Sequence, residues 1–157
     1  MSSRSKANGH IVVGVDGSDS SKDALRWAMR QAELTGCTVN AVIAWEYPPL
    51  YGSIGWLDAP QEIVGHIKLS ASQALNDAVR EVAKKSDAEL VHETVAYGTP
   101  AAVLLDAARD ASLLVVGSRG HGGFTGALLG SVSQHCTQHG PCPVVVVRGP
   151  WPVGTRG

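Results

Sequence analysis

The chain has 157 residues, enough for one domain with a sizeable core, and 44% of them are hydrophobic. Its formal net charge of −1 gives no electrostatic ground for a nucleic-acid or membrane-surface partner. No stretch approaches the roughly 18 consecutive apolar residues of a membrane span, and polar Met1 to Gly9 lacks the apolar core of a signal peptide, so a cytoplasmic protein is expected.

Strands and helices alternate along the chain. Met1 to Gly9 reads as a disordered arm, and His10 to Val15 as a β-branched strand ended by the turn Asp16-Gly17-Ser18. Ser20-x-x-Asp23 has the form of a capping box, and Ala24, Leu25, Trp27, Ala28 and Ala32 follow at helical spacing until Gly36. Thr38 to Trp45 is a second strand. Pro48 to Pro60, rich in Pro, Gly and aromatic residues, reads as a loop beside a site. A long helix is expected from Gln61 to about Lys85, with Ile63, Ile67, Ala71, Ala74, Leu75, Ala78 and Val82 on one side. Leu90 to Ala96 is a third strand. Thr99 and Pro100 open a helix that Ala101 to Arg109 fills, since threonine caps and proline suits a first helical position. Leu113 to Val116 is the fourth strand and Ser131 to His139 a helix stopped by Gly140-Pro141. The four valines Val144 to Val147 form a last strand, whose composition predicts burial on both faces, inside the sheet or under a partner. Gly149 to Gly157 reads as a loosely held tail. Strands spaced by helices give one α/β domain over residues 10–148 with a parallel sheet.

The chemistry concentrates after the fourth strand. Gly117, Gly120 and Gly130-Ser131 fit G-x2-G-x9-G-S/T. Missing side chains let backbone approach an anion closely, and the free N–H groups of a following helix face it, so phosphate is the natural guest. Other phosphate loops are excluded. No glycine precedes a Lys-Ser or Lys-Thr pair, as a P-loop requires, and the dinucleotide fingerprint begun by Gly120 and Gly122 fails at Thr125. The nucleophile elbow G-x-S-x-G is also missing.

From Ile11 to Arg148 the chain resembles the universal stress protein family, in its ATP-binding branch. The resemblance is carried in order by Val12-Val13-Gly14-Val15-Asp16-Gly17-Ser18, Ala44-Trp45-Glu46, Gly98-Thr99-Pro100, the glycine pattern, and Pro141-Cys142-Pro143-Val144-Val145-Val146-Val147-Arg148. It implies an open five-stranded parallel sheet in the order 3-2-1-4-5 with helices on both faces, the adenine nucleotide α-hydrolase-like fold. In such a sheet the ligand crevice lies at the switch point between the strands ending at Asp16 and Gly117. The resemblance further implies that Gly117, Gly120, Gly130 and Ser131 contact phosphate and ribose, that Asp16 contacts the nucleoside, and that the backbone of Ala44 binds adenine.

In the first turn of the helix that starts at Ser131, Val132 is expected to donate its amide to phosphate and Ser133 its hydroxyl. The helix dipole adds about 0.3–1 kcal/mol of attraction for an anion. The alternative for Asp16 is a plain Asx-turn with Gly17, and the two roles are compatible. Arg119 and His121 are either γ-phosphate partners or solvated loop charges. Trp45, Tyr47, Tyr51 and Trp56 read as core or lid packing, with base stacking as the alternative. Cys37, Cys136 and Cys142 form no CxxC and read as reduced thiols. His135, Cys136, His139 and Cys142 invite a metal reading, but Pro141 and Pro143 hold Cys142 in an extended entry to the last strand, and no metal site is expected.

No pair of carboxylates or Ser/His/Asp ordering accompanies the phosphate pattern, so the preferred function is an ATP-binding stress sensor, with Mg²⁺ on the phosphates and at most slow hydrolysis. The alternatives are an ATPase or phosphotransfer protein, and a dimeric scaffold with a structural nucleotide. A homodimer through the hydrophobic edge strand Val144 to Val147 is expected.

Overall fold

The computed structural model describes residues 9–47, 60–119 and 129–149. Five strands, β1 (His10–Gly14), β2 (Thr38–Trp45), β3 (Val91–Tyr97), β4 (Leu113–Gly117) and β5 (Val144–Val147), form one sheet in the order β3-β2-β1-β4-β5. Every neighbouring pair is parallel. Among the described residues four α-helices connect them: α1 (Asp19–Thr35), α2 (Gln61–Val82), α3 (Pro100–Ala107) and α4 (Ser131–His139).

Alternation along the strands divides the core in two. Ile11, Val13, Val15, Val39, Ala41, Ile43, Val115 and Val147 face α1 and α2, where Leu25, Ala28, Met29, Leu75 and Ala78 meet them. Val12, Val42, Leu114 and Val116 face the other side, against Val103 and Leu104 of α3 and Cys136 of α4. The first two crossovers thus run over one face and the last two over the other. The chain reverses its direction across the sheet between β1 and β4, and this leaves a crevice at their carboxyl ends.

Several boundaries differ from the sequence reading. The N-cap of α1 is Ser18, whose hydroxyl accepts from the Ser21 amide at 3.2 Å. Asp23 does not close a capping box with Ser20: it is buried in an ion pair with Arg26 at 2.9 Å. Gly36 ends α1 with φ 79°, a left-handed conformation that suits glycine. The long helix stops at Val82, three residues early, and a 3₁₀ turn over Lys85–Leu90 precedes β3. Lys84 and Asp87 hold that turn through local bonds of 2.9 and 3.3 Å, a cap that carries no hydrophobic period and so escaped notice. A second 3₁₀ turn, Ala108–Asp110, replaces the expected end of α3.

The four valines form the edge strand that the order 3-2-1-4-5 implies, and not the internal strand that their composition also allowed. β5 lies at the edge, paired on one side with β4, and only Val147 is buried. Val145 packs toward α1 and α2, and Val144 and Val146 toward α3 and α4, so helices on both faces account for the composition. Charges join the helices of one face: Lys22 meets Glu81 at 2.9 Å and Arg26 meets Glu81 at 3.5 Å. Among the described residues no helix is long and apolar enough to cross a membrane. The expected arm and tail lie almost wholly outside the described residues.

Candidate functional site

The register brings the expected residues to one end of the sheet. Gly14 pairs with Val42 and Val13 with Val115, so Asp16, Ala44 and Gly117 all follow at the carboxyl ends of adjacent strands. Ala44 itself pairs with Ala96 and sits half-buried in β2.

Asp16 turns the chain from β1 into α1. Its Oδ1 accepts from the Ser18 amide at 2.9 Å and from the Ser18 hydroxyl, while Gly17 takes φ 85°. This is the Asx-turn. The Asp16 amide in turn donates to Ser21 Oγ at 3.2 Å, and Ser21 Oγ donates to the Ser18 carbonyl at 3.0 Å. Two serines therefore fix Asp16 at the start of α1, Ser18 through the carboxylate and Ser21 through the backbone amide.

Gly117 has a steric reason to be glycine. A Cβ there would lie 2.6 Å from the Ser20 carbonyl oxygen and 2.7 Å from its carbon, and helix backbone cannot yield as a flexible side chain can. The end of β4 is pressed onto the first turn of α1. The next residues are pinned from three sides. The Ser118 amide donates to the Val147 carbonyl at 3.0 Å, and the Arg119 amide donates to Ser20 Oγ at 3.2 Å. The Ser118 carbonyl accepts from the Gly130 amide at 2.7 Å and from Ser133 Oγ at 3.4 Å. Residues 118 and 130 thus close a neck across the glycine pattern.

Gly130 caps α4 without a side chain, so no hydroxyl or carboxylate covers the first-turn amides. Its φ of −71° and ψ of 167° are open to any residue, so backbone conformation does not demand glycine here. Ser131 is exposed and Val132 half-buried at this helix start. Ser133 departs from expectation. It is 3% exposed, and its hydroxyl donates to the Gly130 carbonyl at 3.1 Å as well as to Ser118. Its proton serves the neck, and the hydroxyl expected to reach phosphate is turned to backbone. Gly120 and His121 lie outside the described residues, as do Tyr51 and Trp56; Arg119 is exposed.

At the ends of β2 and β3 three rings meet edge to face. Trp45 lies 5.0 Å from Tyr97 and 6.0 Å from Tyr47, and the two tyrosines are 5.3 Å apart between centroids. Tyr97 escaped the sequence reading because it follows an alternating strand and resembles any exposed strand-end residue. His135 and His139 lie side by side on α4 with centroids 4.8 Å apart and ring planes tilted by 44°. Burial pushes the Cys136 thiol up to about 11 and raises that of Cys142, which keeps both protonated. Among the described residues no three His, Cys, Asp or Glu gather as a metal site.

Residues 7–148 match the model of the universal stress protein family. Universal stress protein Rv1996 of Mycobacterium tuberculosis is 38% identical over 149 residues, covering 89% of this chain and 44% of that protein. A universal stress protein of Mycolicibacterium smegmatis is 37% identical over 143 residues, covering 88% of this chain and 45% of its own length. The chain thus spans about half the length of the curated relatives it matches. Among solved structures, a universal stress protein in complex with cAMP aligns with TM-score 0.58 and 26% identity, covering 88% of this chain and 95% of that one. UspA from Lactobacillus plantarum shares the fold with TM-score 0.72 at 23% identity, over 90% and 98% of the two chains.

Proposed function

The chain belongs to the universal stress protein family, and from that premise we propose that it binds an adenine nucleotide, with ATP as its working ligand, at the carboxyl ends of β1 and β4. The neck carries this reading: β4 ends at a glycine pressed against α1, and α4 opens with an uncapped glycine beside it. The Ser118, Arg119 and Gly130 amides are taken by protein acceptors, so the amides offered to an anion in this reading are those of the first turn of α4, Ser131 and Val132. The cAMP complex of a relative supports an adenine nucleotide as the guest.

In this reading the phosphates lie at Gly117, Gly120, Gly130 and Ser131 and take the Val132 amide, Asp16 accepts from the ribose hydroxyls, and the backbone of Ala44 meets adenine. Ser133 holds the neck closed from beneath. Mg²⁺ travels with the phosphates and screens their charge.

The output is regulatory. At this rim Asp16 Oδ1 is engaged by Ser18 and, in this reading, the carboxylate serves the ribose, so it is not the group that orients an attacking oxygen in phosphoryl transfer. The protein acts in the cytoplasm as a nucleotide-dependent stress sensor. The competing enzyme reading, an ATPase or phosphotransfer protein, requires turnover of many per second with MgATP. Two copies pair through β5, an edge of four valines. Relatives in which this chain fills 44% of the length have room for a second such unit. A monomer by light scattering at micromolar concentration contradicts the pairing.

Thermal unfolding with MgATP, AMP and GTP tests the nucleotide. Ligand at 100 times its dissociation constant stabilises by about 2.7 kcal/mol, a melting shift of roughly 5–10 °C for a domain this size. Gly130→Ala keeps an allowed backbone but crowds the anion, and it is expected to abolish the shift. No shift with any nucleotide overturns the proposal and leaves the scaffold reading.

A further inference from the structure

We infer that Ser20, which belongs to none of the phosphate motifs, is a positioning residue that holds the phosphate loop in register with the nucleoside end of the site; this rests on the nucleotide reading above. Ser20 stands in the first turn of α1 and reaches across 99 positions of sequence to accept the Arg119 amide at 3.2 Å. Arg119 is the residue before Gly120, so this bond sets the direction in which the chain enters the glycine pattern. Its anchor is rigid. The same turn is capped by Ser18, tied to Asp16 through the Ser18 amide at 2.9 Å, and closed by Ser21 on the Asp16 amide at 3.2 Å.

Contact as well as hydrogen bonding joins the two segments. The absent Cβ of Gly117 lets β4 come so close to Ser20 that a methyl group would stand 2.6 Å from its carbonyl oxygen. One turn of α1 therefore carries Asp16 on one side and the entry of the phosphate loop on the other. Removing the Ser20 hydroxyl leaves the Asp16 turn and its serine cap in place, yet it releases the Arg119 amide. The consequence falls on phosphates and spares the nucleoside. A residue that only supported the fold would weaken both alike.

The experiment compares wild type, Ser20→Ala and Ser20→Thr by amide hydrogen exchange without ligand and by calorimetric titration with ATP and with adenosine. Ser20→Ala is expected to lose protection at the Arg119 amide, to bind ATP about five- to tenfold more weakly, and to bind adenosine within about twofold of wild type. Ser20→Thr keeps the hydroxyl and is expected to recover most of the ATP affinity. An unchanged ATP affinity in Ser20→Ala overturns the inference, as does equal loss for ATP and adenosine accompanied by a lower melting temperature. A wild type that binds neither ligand overturns the functional reading, and this role with it. A wild type that binds ATP no better than Ser20→Ala overturns the role alone.

Discussion

Two rims stand side by side at the carboxyl end of the sheet and are finished by opposite chemistry. Where β1 and β4 end, small residues hold the chain through hydroxyl and backbone bonds: Ser18 on Asp16, Ser20 on Arg119, Ser133 and Gly130 on Ser118. Where β2 and β3 end, three rings close on one another, and Tyr97 and Tyr47 remain 57% and 40% exposed. A rim held by backbone bonds can bring amides to an anion without a side chain intervening. A rim held by rings gives apolar area and edge-to-face contacts, which stabilise but do not neutralise charge. In the proposed reading, phosphate falls to the first rim and packing beside the base to the second.

The comparison breaks most readily at Gly117. Gly117→Val drives a branched side chain into the Ser20 backbone, and such overpacking costs about 1–3 kcal/mol. A lower melting temperature together with lost ATP binding is expected, and a variant that melts and binds like wild type contradicts the steric account. Ser18→Ala removes the cap of α1 and one anchor of Asp16, at a cost of about 1 kcal/mol. Its adenosine affinity is expected to fall with its ATP affinity, because the proposed reading puts the carboxylate at the nucleoside end; an intact adenosine affinity separates Asp16 from the ligand.

Tyr97→Ala probes the other rim. Losing two edge contacts costs about 0.5–1.5 kcal/mol, toward the lower figure for so exposed a ring. The ratio of ATP to adenosine affinity is expected to stay constant, and a changed ratio blurs the division between the rims. The smallest effect lies away from both. Lys22, by hydrogen bond and by charge, holds the Glu81 carboxyl below its usual value, with Arg26 adding to it. Because the folded state favours the ionised form, this stabilisation is present above the ordinary carboxylate pKa and is lost as pH falls through the lowered folded value. Glu81→Gln is expected to flatten that part of the pH–stability curve slightly, and salt to shrink it further in wild type.

Much of the architecture was legible because period and punctuation agreed. Asp19–Thr35 shows helical spacing and a glycine stop, and β2 and β4 are apolar runs next to turns. The strand order came from the family resemblance, and alternation alone would not have supplied it. What escaped notice was set by contacts distant in sequence or by very local bonds. Nothing near Ser20 in sequence announces the Arg119 amide, and nothing near Ser133 announces the Ser118 carbonyl. The composition of the β5 valines left an interior or a covered strand open, because helices on both faces partly bury an edge strand; the edge position came from the strand order that the resemblance implies. The gathering of Asp16, Ala44 and Gly117 at neighbouring strand ends was legible in advance: turn and glycine chemistry mark Asp16 and Gly117, while Ala44 came from the family resemblance alone. The inward turn of Ser133 was not.

The most direct test of the central claim follows backbone amides by two-dimensional nitrogen–proton NMR while ATP is titrated into the wild-type protein. The account predicts that the amides of Ser118, Arg119, Ser131 and Val132 move together and saturate, that Asp16 and Gly17 follow with the same affinity, and that His10 and Thr38 at the far end of the sheet stay still. Shifts confined to the exposed edges of β3 or β5, or no saturable shifts at all, would contradict a nucleotide held at the neck between β4 and α4.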